Sequence, residues 1–183
     1  MKALFVTSND YKRREAARIL GVELEAASPD LPEIQALDVE VVAAAKALAA
    51  REALGRPARP VLVEDSGIVV GAWNGLPGAL TKWFISSVGI EGLLSMLPPG
   101  MDRSAVAVCA VAVAASDGSV EIFHGEVRGR LAERAMGESG FGWDPIFIPE
   151  GSDLTYAALG DKKSEDSHRT RAFLAARERL GRR

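Results

Sequence analysis

The chain reads as a mixed α/β protein whose sheet is partly antiparallel. Three observations predict this. The first third alternates strand, helix, strand, helix, strand, the order that favours parallel pairing. The run Ala105–Ala115 is rich in Val and Ala and reads as a strand buried on both faces. Asp117-Gly118 lies between two extended runs, where such a dipeptide turns a hairpin.

The elements follow in order. Ala3–Val6 is a continuous apolar strand that runs into polar Thr7-Ser8-Asn9. Asn9 is a good N-cap, and the helix after it runs to about Leu20, where Gly21 closes it. Val22–Ala26 is a second strand, and Asp30-Leu31-Pro32-Glu33-Ile34-Gln35 is a loop. Val39–Leu54 is Ala-rich and helical, ending at Gly55. Pro57 and Pro60 break the chain before the strand Val61–Val63, which ends at Glu64-Asp65-Ser66-Gly67. Ile68–Val70 is short and extended, and Asn74-Gly75-Leu76-Pro77-Gly78 is a turn. Two short helices follow, around Ala79–Ser87 and Ile90–Leu97. Ser104–Ala115 and Ser119–Arg128 pair as the hairpin, and Ile146–Ile148 is a late strand. Ser167–Leu180 is a helix with Ser167 as N-cap and Ala172, Phe173, Ala176 and Leu180 on one face.

Composition sets limits. The 183 residues suit one unit, 1–183, with an ordinary globular balance of 48% hydrophobic and 26% charged residues. A net charge of −3 argues against broad nucleic-acid binding, which needs a basic face, but leaves room for a local basic pocket. The longest apolar run is too short to span a bilayer, and the N-terminus does not read as a signal peptide. A cytoplasmic protein without a membrane partner is the expectation. The lone Cys109 reads as a small buried hydrophobe, and His124 as a structural strand residue without a visible partner. Two histidines and one cysteine give no zinc spacing, and there is no Ser/His/Asp elbow.

Four groups of residues carry candidate chemistry. Thr7-Ser8-Asn9 with Lys12 offers hydroxyls, an amide, backbone N–H groups and an ammonium, a set that cradles phosphate. In Glu64-Asp65-Ser66-Gly67, adjacent side chains on an extended strand face opposite ways, so one carboxylate meets a ligand while the other turns away. Hard oxygen donors of this kind, together with nucleotide phosphates, suit Mg²⁺, and Asp65 is placed to activate a water. Glu33, between Pro32 and Ile34, is a candidate second metal ligand or a plain loop charge. Phe141-Gly142-Trp143-Asp144 offers aromatic faces for a planar ring and a carboxylate that only accepts hydrogen bonds. Lys163 and Ser167-His168-Arg169 follow it. Cations are disfavoured in a helix's first turn, yet Lys12, His168 and Arg169 all sit there, and a compensating electron-rich ligand is the simple remedy.

Taken in this order, the segments resemble the Ham1-like inosine triphosphate pyrophosphatase family. Thr7-Ser8-Asn9-Asp10-Tyr11-Lys12 is similar to its phosphate loop, with Ser8 where Gly is usual. Leu31-Pro32-Glu33-Ile34-Gln35 resembles the loop carrying a metal-binding Glu, and Glu64-Asp65-Ser66-Gly67 the catalytic acidic motif. Leu76-Pro77-Gly78 with Lys82-Trp83-Phe84 is similar to the eukaryotic and archaeal branch. Phe141-Gly142-Trp143-Asp144-Pro145 and Ser167-His168-Arg169 resemble the base-binding motifs, with Lys163 at the matching place five residues before His168. The family usually has Asn where Ser164 stands.

The resemblance implies an elongated α/β fold of two lobes with a central cleft, and a homodimer. It implies Mg²⁺-dependent hydrolysis of inosine, deoxyinosine and xanthosine triphosphates to the monophosphate and pyrophosphate. Glu33 and Asp65 would hold the metal, with Asp65 as base. Thr7, Ser8, Asn9, Lys12, Lys46, Ser66 and Lys82 would bind phosphate. Phe141, Gly142, Trp143, Asp144, Lys163, His168 and Arg169 would bind the base, Arg169 donating to the purine 6-oxygen. Two other readings fit the residues: a Maf-like nucleotide pyrophosphatase with another base preference, and a nucleotide sensor that never turns over. Glu33, Asp65 and Lys12 together favour an enzyme.

Overall fold

A computed structural model describes residues 2–7 and 9–180, apart from the side chains of Lys2, Tyr11 and Arg179. The elements are β1 (Lys2–Val6), α1 (Asp10–Leu20), β2 (Glu23–Ala27), α2 (Val39–Ala53), β3 (Val61–Val70), β4 (Pro77–Gly78), α3 (Thr81–Ser95), β5 (Ser104–Ala114), β6 (Val120–Leu131), β7 (Phe147–Pro149), α4 (Tyr156–Leu159) and α5 (His168–Leu180). Short 3-10 turns cover Gly71–Trp73 and Gly160–Glu165. One mixed sheet runs β2-β1-β3-β5-β6-β7, with β4 added beside β3.

Pairing follows the chemistry of the connections. Helical crossovers place β1 parallel to β2 and to β3. The Asp117-Gly118 turn makes β5 and β6 an antiparallel hairpin in register from Ser104↔Arg130 to Ala114↔Val120. The Val/Ala run in β5 is buried along nearly its whole length, as its composition requires.

Three apolar clusters lie on the sheet. Leu62 and Cys109 face α1 and α5, whose Ala16, Ile19, Ala172, Phe173 and Ala176 cover them. Val61, Val63 and Ala110 face α2 through Val39, Ala43 and Ala47. Farther along the same strands, Ile68, Val70, Ala105 and Val127 pack against Leu93, Phe147 and Tyr156. The sheet is therefore covered on both faces at one end, with a separate cluster at the other.

The largest difference from the sequence reading is β3. Val61–Val63 and Ile68–Val70 are one continuous strand of 10 residues, so Glu64-Asp65-Ser66-Gly67 lies mid-strand and is not a strand end. The reason is β5, which pairs with all of it from Val61↔Ala114 to Val70↔Ala105. Partners on the other edge are discontinuous. β1 pairs only at Val61 and Leu62, and β4 only at Ile68 and Val69. Among the described residues, Val63–Gly67 thus has no strand beside it on that edge.

The two helices expected from Ala79 to Leu97 are one element, α3, broken at Gly89, whose φ of 72° and ψ of 178° are not helical. The start of α5 is set by close packing. Gly125 of β6 lies under it, and a Cβ there would overlap the His168 carbonyl and the Ala172 amide. Ser167 caps α5, its Oγ accepting from Thr170 N at 3.1 Å. His124 does have partners: its Nδ1 is 2.9 Å from Glu40 Oε1, which ties β6 to α2.

Gly125→Ala should force α5 away from β6. Overpacking of this kind costs about 1–3 kcal/mol. Urea unfolding should show a lower midpoint at an unchanged slope, and an unshifted midpoint would mean that α5 is not held by this contact.

Candidate active site

The gap beside β3 opens into a cleft of about 760 Å³. Phe5, Val6, Thr7, Asn9 and Lys12 line it from the carboxyl end of β1 and the start of α1. Glu33 reaches it from the loop after β2 and Lys46 from α2. Glu64, Asp65 and Ser66 form its floor, and Lys82 and Trp83 of α3 stand on the far side. Phe141, Gly142 and Trp143 close one end. Ser8 lies outside the described residues.

The phosphate-loop expectation rests on a capped helix. Asn9 Oδ1 accepts from Lys12 N at 3.2 Å, and Thr7 Oγ1 accepts from Asn9 N at 3.0 Å. Lys12 Nζ lies 3.1 Å from Glu64 Oε2, and Lys46 Nζ lies 2.7 Å from Glu33 Oε1. The Lys46 hydrogen bond holds the Glu33 carboxyl below its usual range. Lys82 Nζ sits 5.6 Å from the ring centre of Trp83.

Glu64 and Asp65 face opposite ways, as alternation requires, and their environments diverge. Glu64 is buried on the α1/α5 side. Burial opposes its charge, but Arg169 and Lys12 outweigh that and hold it far below the usual carboxylate range. Asp65 faces α2. Burial pushes its carboxyl up to about 7, the Lys46 charge opposes this, and the neighbouring charges of Glu64 and Glu33 add to the rise. Its Oδ2 is buried and accepts no hydrogen bond. One carboxylate is thus fixed as an anion and the next is poised to exchange a proton.

Arg169 is 1% exposed and does not line the cleft. Its Nε and Nη2 each donate to Glu64 Oε1 at 3.2 Å, and its Nη1 donates to Glu15 Oε2 at 3.0 Å. This corrects the expectation drawn from the first-turn cations. The charges are compensated from within the protein, Arg169 by Glu15 and Glu64 and Lys12 by Glu64. Burial drives the His168 pKa well below its ordinary value, so this imidazole carries no charge against the helix dipole. Glu15 was not singled out in the sequence. Its signal is an acid on α1 beside apolar Ala16, Ile19 and Leu20, three residues beyond Lys12.

The aromatic end is less open than the sequence suggests. Trp143 is buried, 5.6 Å from Phe147 and 5.0 Å from His168 between ring centres. His168 also stacks on Tyr156 at 5.9 Å, and neither of its ring nitrogens has a hydrogen-bond partner. Asp144 is not a free acceptor. Lys163 Nζ donates to its Oδ1 at 2.6 Å, and Phe141 N donates to its Oδ2 at 3.0 Å. At this end of the cleft Phe141 and the buried Trp143 contribute rings, and of the two Phe141 is the less buried. Close to the Phe141 ring stand Arg169 Cζ at 5.1 Å, Lys163 Nζ at 5.5 Å and Lys12 Nζ at 5.8 Å from its centre. Gly142, at a φ of 62°, turns the chain between the two aromatics.

The donor set suits a hard divalent cation. Glu33 is near enough for its charge to raise Asp65, and the unpartnered Asp65 Oδ2 is the kind of orphaned oxygen such an ion satisfies. No group of three or more His, Cys, Asp or Glu side chains able to hold a metal occurs among the described residues. Two carboxylates, with phosphate oxygens and water completing the shell, match the sparing protein ligation of Mg²⁺.

Known proteins resemble this chain in sequence and in fold. A sequence profile described as the Ham1 family matches residues 3–179. A protein of Methanopyrus kandleri named dITP/XTP pyrophosphatase is 44% identical, over 94% of this chain and 93% of its own length. A Saccharomyces cerevisiae protein named inosine triphosphate pyrophosphatase is 38% identical, over 97% of this chain and 94% of its own. The solved structure of the Staphylococcus aureus Ham1 protein superposes with a TM-score of 0.86 at 29% identity, covering both chains fully. These matches span nearly the whole sequence and include every segment that lines the cleft. The chain belongs to the Ham1 family.

Proposed function

We propose that the protein hydrolyses the non-canonical purine nucleoside triphosphates ITP, dITP and XTP to the monophosphate and pyrophosphate, and so clears them from the nucleotide pool. One observation carries the reading. Asp65 is a half-buried carboxylate whose Oδ2 is buried and unpartnered and whose pKa is pushed up to about 7, in one cleft with Lys12, Lys46 and Lys82. That is the placement a general base needs beside the cations that receive a triphosphate. The names of the relatives at 38–44% identity supply the substrate class.

The chain's own residues divide the work. Asp65 takes the proton of the attacking water. Lys12, Lys46 and Lys82 meet the phosphates and stabilise charge on the departing pyrophosphate. Lys12 and Lys46 do so by exchanging carboxylate partners, Glu64 and Glu33, for phosphate oxygens. Thr7, Asn9 and Ser66 add hydroxyl and backbone donors from the same cleft wall. Glu33 and Asp65 are the residues that would hold Mg²⁺, whose chemistry there is to neutralise phosphate charge and lower the pKa of bound water. Phe141 stacks on the base, and Arg169 donates to the purine 6-oxygen. Adenine presents an amino group at that place, so donor would meet donor, a mismatch able to reject a substrate by roughly 10⁴-fold. Gly142 and Trp143 shape the cleft end, while Asp144, Lys163 and His168 form the wall behind it. The 183 residues act as one unit, working as a homodimer in the cytoplasm.

Three measurements test this. In heavy-oxygen water, ITP should give IMP carrying the label and unlabelled pyrophosphate in equal amounts, and only when Mg²⁺ is present. Release of IDP and orthophosphate would sink the reading.

Asp65→Asn should lower turnover by roughly 10²–10⁴-fold, the usual contribution of a general base. The same variant has a stability signature. The folded pKa of Asp65 is raised to about 7. Between about pH 4 and that value, the folded protein keeps a proton the unfolded chain has lost. Ionisation therefore costs stability as pH rises through the window. With a chelator present, Asp65→Asn should melt above wild type at pH 8, and the gain should shrink toward pH 4. A gain that does not change with pH would place the shifted pKa elsewhere.

Arg169→Ala should weaken ITP use far more than ATP use, so that the ratio of their kcat/KM values collapses toward one. Lys12→Ala should slow both substrates alike. The ratio is the right readout because Arg169→Ala also strands Glu15 and Glu64 and lowers the folded fraction, which cancels in a ratio. An unchanged ratio in Arg169→Ala would leave that residue a purely internal role.

A further inference from the structure

We propose that Thr81 is a positioning residue that sets the spacing of Glu33 and Asp65, and through it the protein's affinity for a divalent cation; the proposal rests on the metal-holding role assigned above to those two carboxylates.

Asp65 is fixed by β3, but Glu33 lies in a stretch between β2 and α2 that is neither helix nor strand. Two contacts locate that stretch. On one side Lys46 of α2 grips the Glu33 carboxylate. On the other, Leu37, four residues along, accepts a hydrogen bond from Ala79 N at 2.9 Å. Leu37 directly precedes Asp38, the N-cap of α2, so this point also sets where the helix carrying Lys46 begins.

The Leu37 contact reaches β3 through a stack of three backbones. Gly67 of β3 lies against Gly78 of β4, and a Cβ on Gly67 would overlap the Gly78 carbonyl. Gly78 in turn lies against Leu37, and a Cβ there would overlap the Leu37 carbonyl. Gly78 also has a φ of 55°, which favours glycine. No side chain fits between these layers, so any shift of β4 is passed directly to Leu37.

Thr81 pins that stack. It is 1% exposed at the start of α3. Its Oγ1 donates to Gly78 O at 2.6 Å and accepts from Ile68 N at 2.9 Å. A single hydroxyl thus joins the strand that carries Asp65 to the turn that holds the Glu33 loop. β4 itself pairs with β3 at only two residues and the turn before it adds Val70 N donating to Leu76 O at 3.0 Å, so the hydroxyl is one of a few ties that fix their separation, and it acts at Gly78 itself. Without it, a buried N–H and a buried carbonyl lose their partner, and β4 has reason to move to find others. The Glu33 loop moves with it. Groups that orient metal ligands without touching the metal commonly change affinity by ~10–100-fold when removed.

The test measures Mn²⁺ binding by the paramagnetic resonance of the free ion, with the protein saturated by a non-hydrolysable ITP analogue. Four proteins are compared: wild type, Thr81→Val, Thr81→Ser and Glu33→Gln. Thr81→Val keeps the shape and removes the hydroxyl, so Mn²⁺ affinity should fall ~10-fold or more. Thr81→Ser keeps the hydroxyl and should restore affinity close to wild type, which a role in packing alone would not do. Should Thr81→Val fail to fold, Thr81→Ala removes the same hydroxyl with less demand on the fit. Wild-type affinity in Thr81→Val, or a loss in Thr81→Ser equal to that in Thr81→Val, overturns the proposal. If Glu33→Gln leaves Mn²⁺ affinity unchanged, the metal role of Glu33 fails first and the proposal falls with it.

Discussion

The structure depends on one interrupted edge. β3 is paired along its whole length with β5, yet on its other side β1 stops at Leu62 and β4 begins only at Ile68. Among the described residues, five are left with a strand on one side only, and Glu64, Asp65 and Ser66 in their middle line the cleft. Residues from α1, the loop after β2, α2 and α3 all reach that cleft because it is where the sheet's cover divides. The rule that ligands bind beyond the carboxyl ends of strands holds for β1, whose end runs into Thr7. It does not hold for β3, which passes straight through the site. The rigid floor that results comes from a long antiparallel ladder and does not depend on a loop.

Burial then sorts the charges on that floor. Taking an ion from water costs far more than a surface ion pair returns, so a buried charge persists only where partners meet it closely. Glu15, Glu64, Lys12 and Arg169 form such a set, two anions and two cations. Lys163 and Asp144 form another. Asp65 is the exception. It lies one residue from Glu64, on the opposite face, with no hydrogen bond to its Oδ2. The same strand therefore carries a carboxylate that stays ionised and one that titrates near neutrality, and pKa values pushed apart in this way mark an acid–base site.

Much of this was readable in the sequence, for identifiable reasons. The helix spans α1 and α5 and the β5–β6 hairpin were set by caps, Gly breakers and periodicity, and these signals are local. The residues expected at the cleft came from short motifs, apart from Lys46, which only the family resemblance implied, and Thr7, Asn9, Lys12, Glu33, Lys46, Asp65, Ser66, Lys82 and Phe141 do line it. What was not readable depends on contacts distant in the chain. β3 looked like two short strands because polar Glu64-Asp65-Ser66 interrupts its apolar pattern, and only the β5 ladder joins them. Arg169 looked like a cation in need of a ligand because Glu15, 154 residues away, gives no local sign of pairing with it. Thr81 looked like an ordinary helix residue, and its hydroxyl matters only once Ile68 and Gly78 are brought to it.

The cover over Arg169 constrains how a base would be read. The Phe141 ring lies at the cleft close to three cations, of which Lys12 also lines the cleft while Lys163 and Arg169 do not, and its electron-rich face offsets part of their mutual repulsion. A purine bearing a carbonyl oxygen offers the same cations a stronger partner, a charge-assisted hydrogen bond. On the function proposed above, the ring must therefore leave the guanidinium before it can stack on the base that replaces it. Gly140 and Gly142 flank the ring. A Cβ on Gly140 would overlap the Asp144 carboxylate, so that side of the ring is anchored. A Cβ on Gly142 would meet open space, so glycine is required there for its φ of 62° alone and not for packing. Phe141 N donates to Asp144 Oδ2 and its carbonyl accepts from Asp144 N, so the ring would turn about its own side-chain bonds while Trp143 stays packed on Phe147, Tyr156 and His168. On that proposal one ring serves first as the cover over Arg169 and Lys163 and afterwards as the stacking wall, so these two buried cations are met by either the ring or the base.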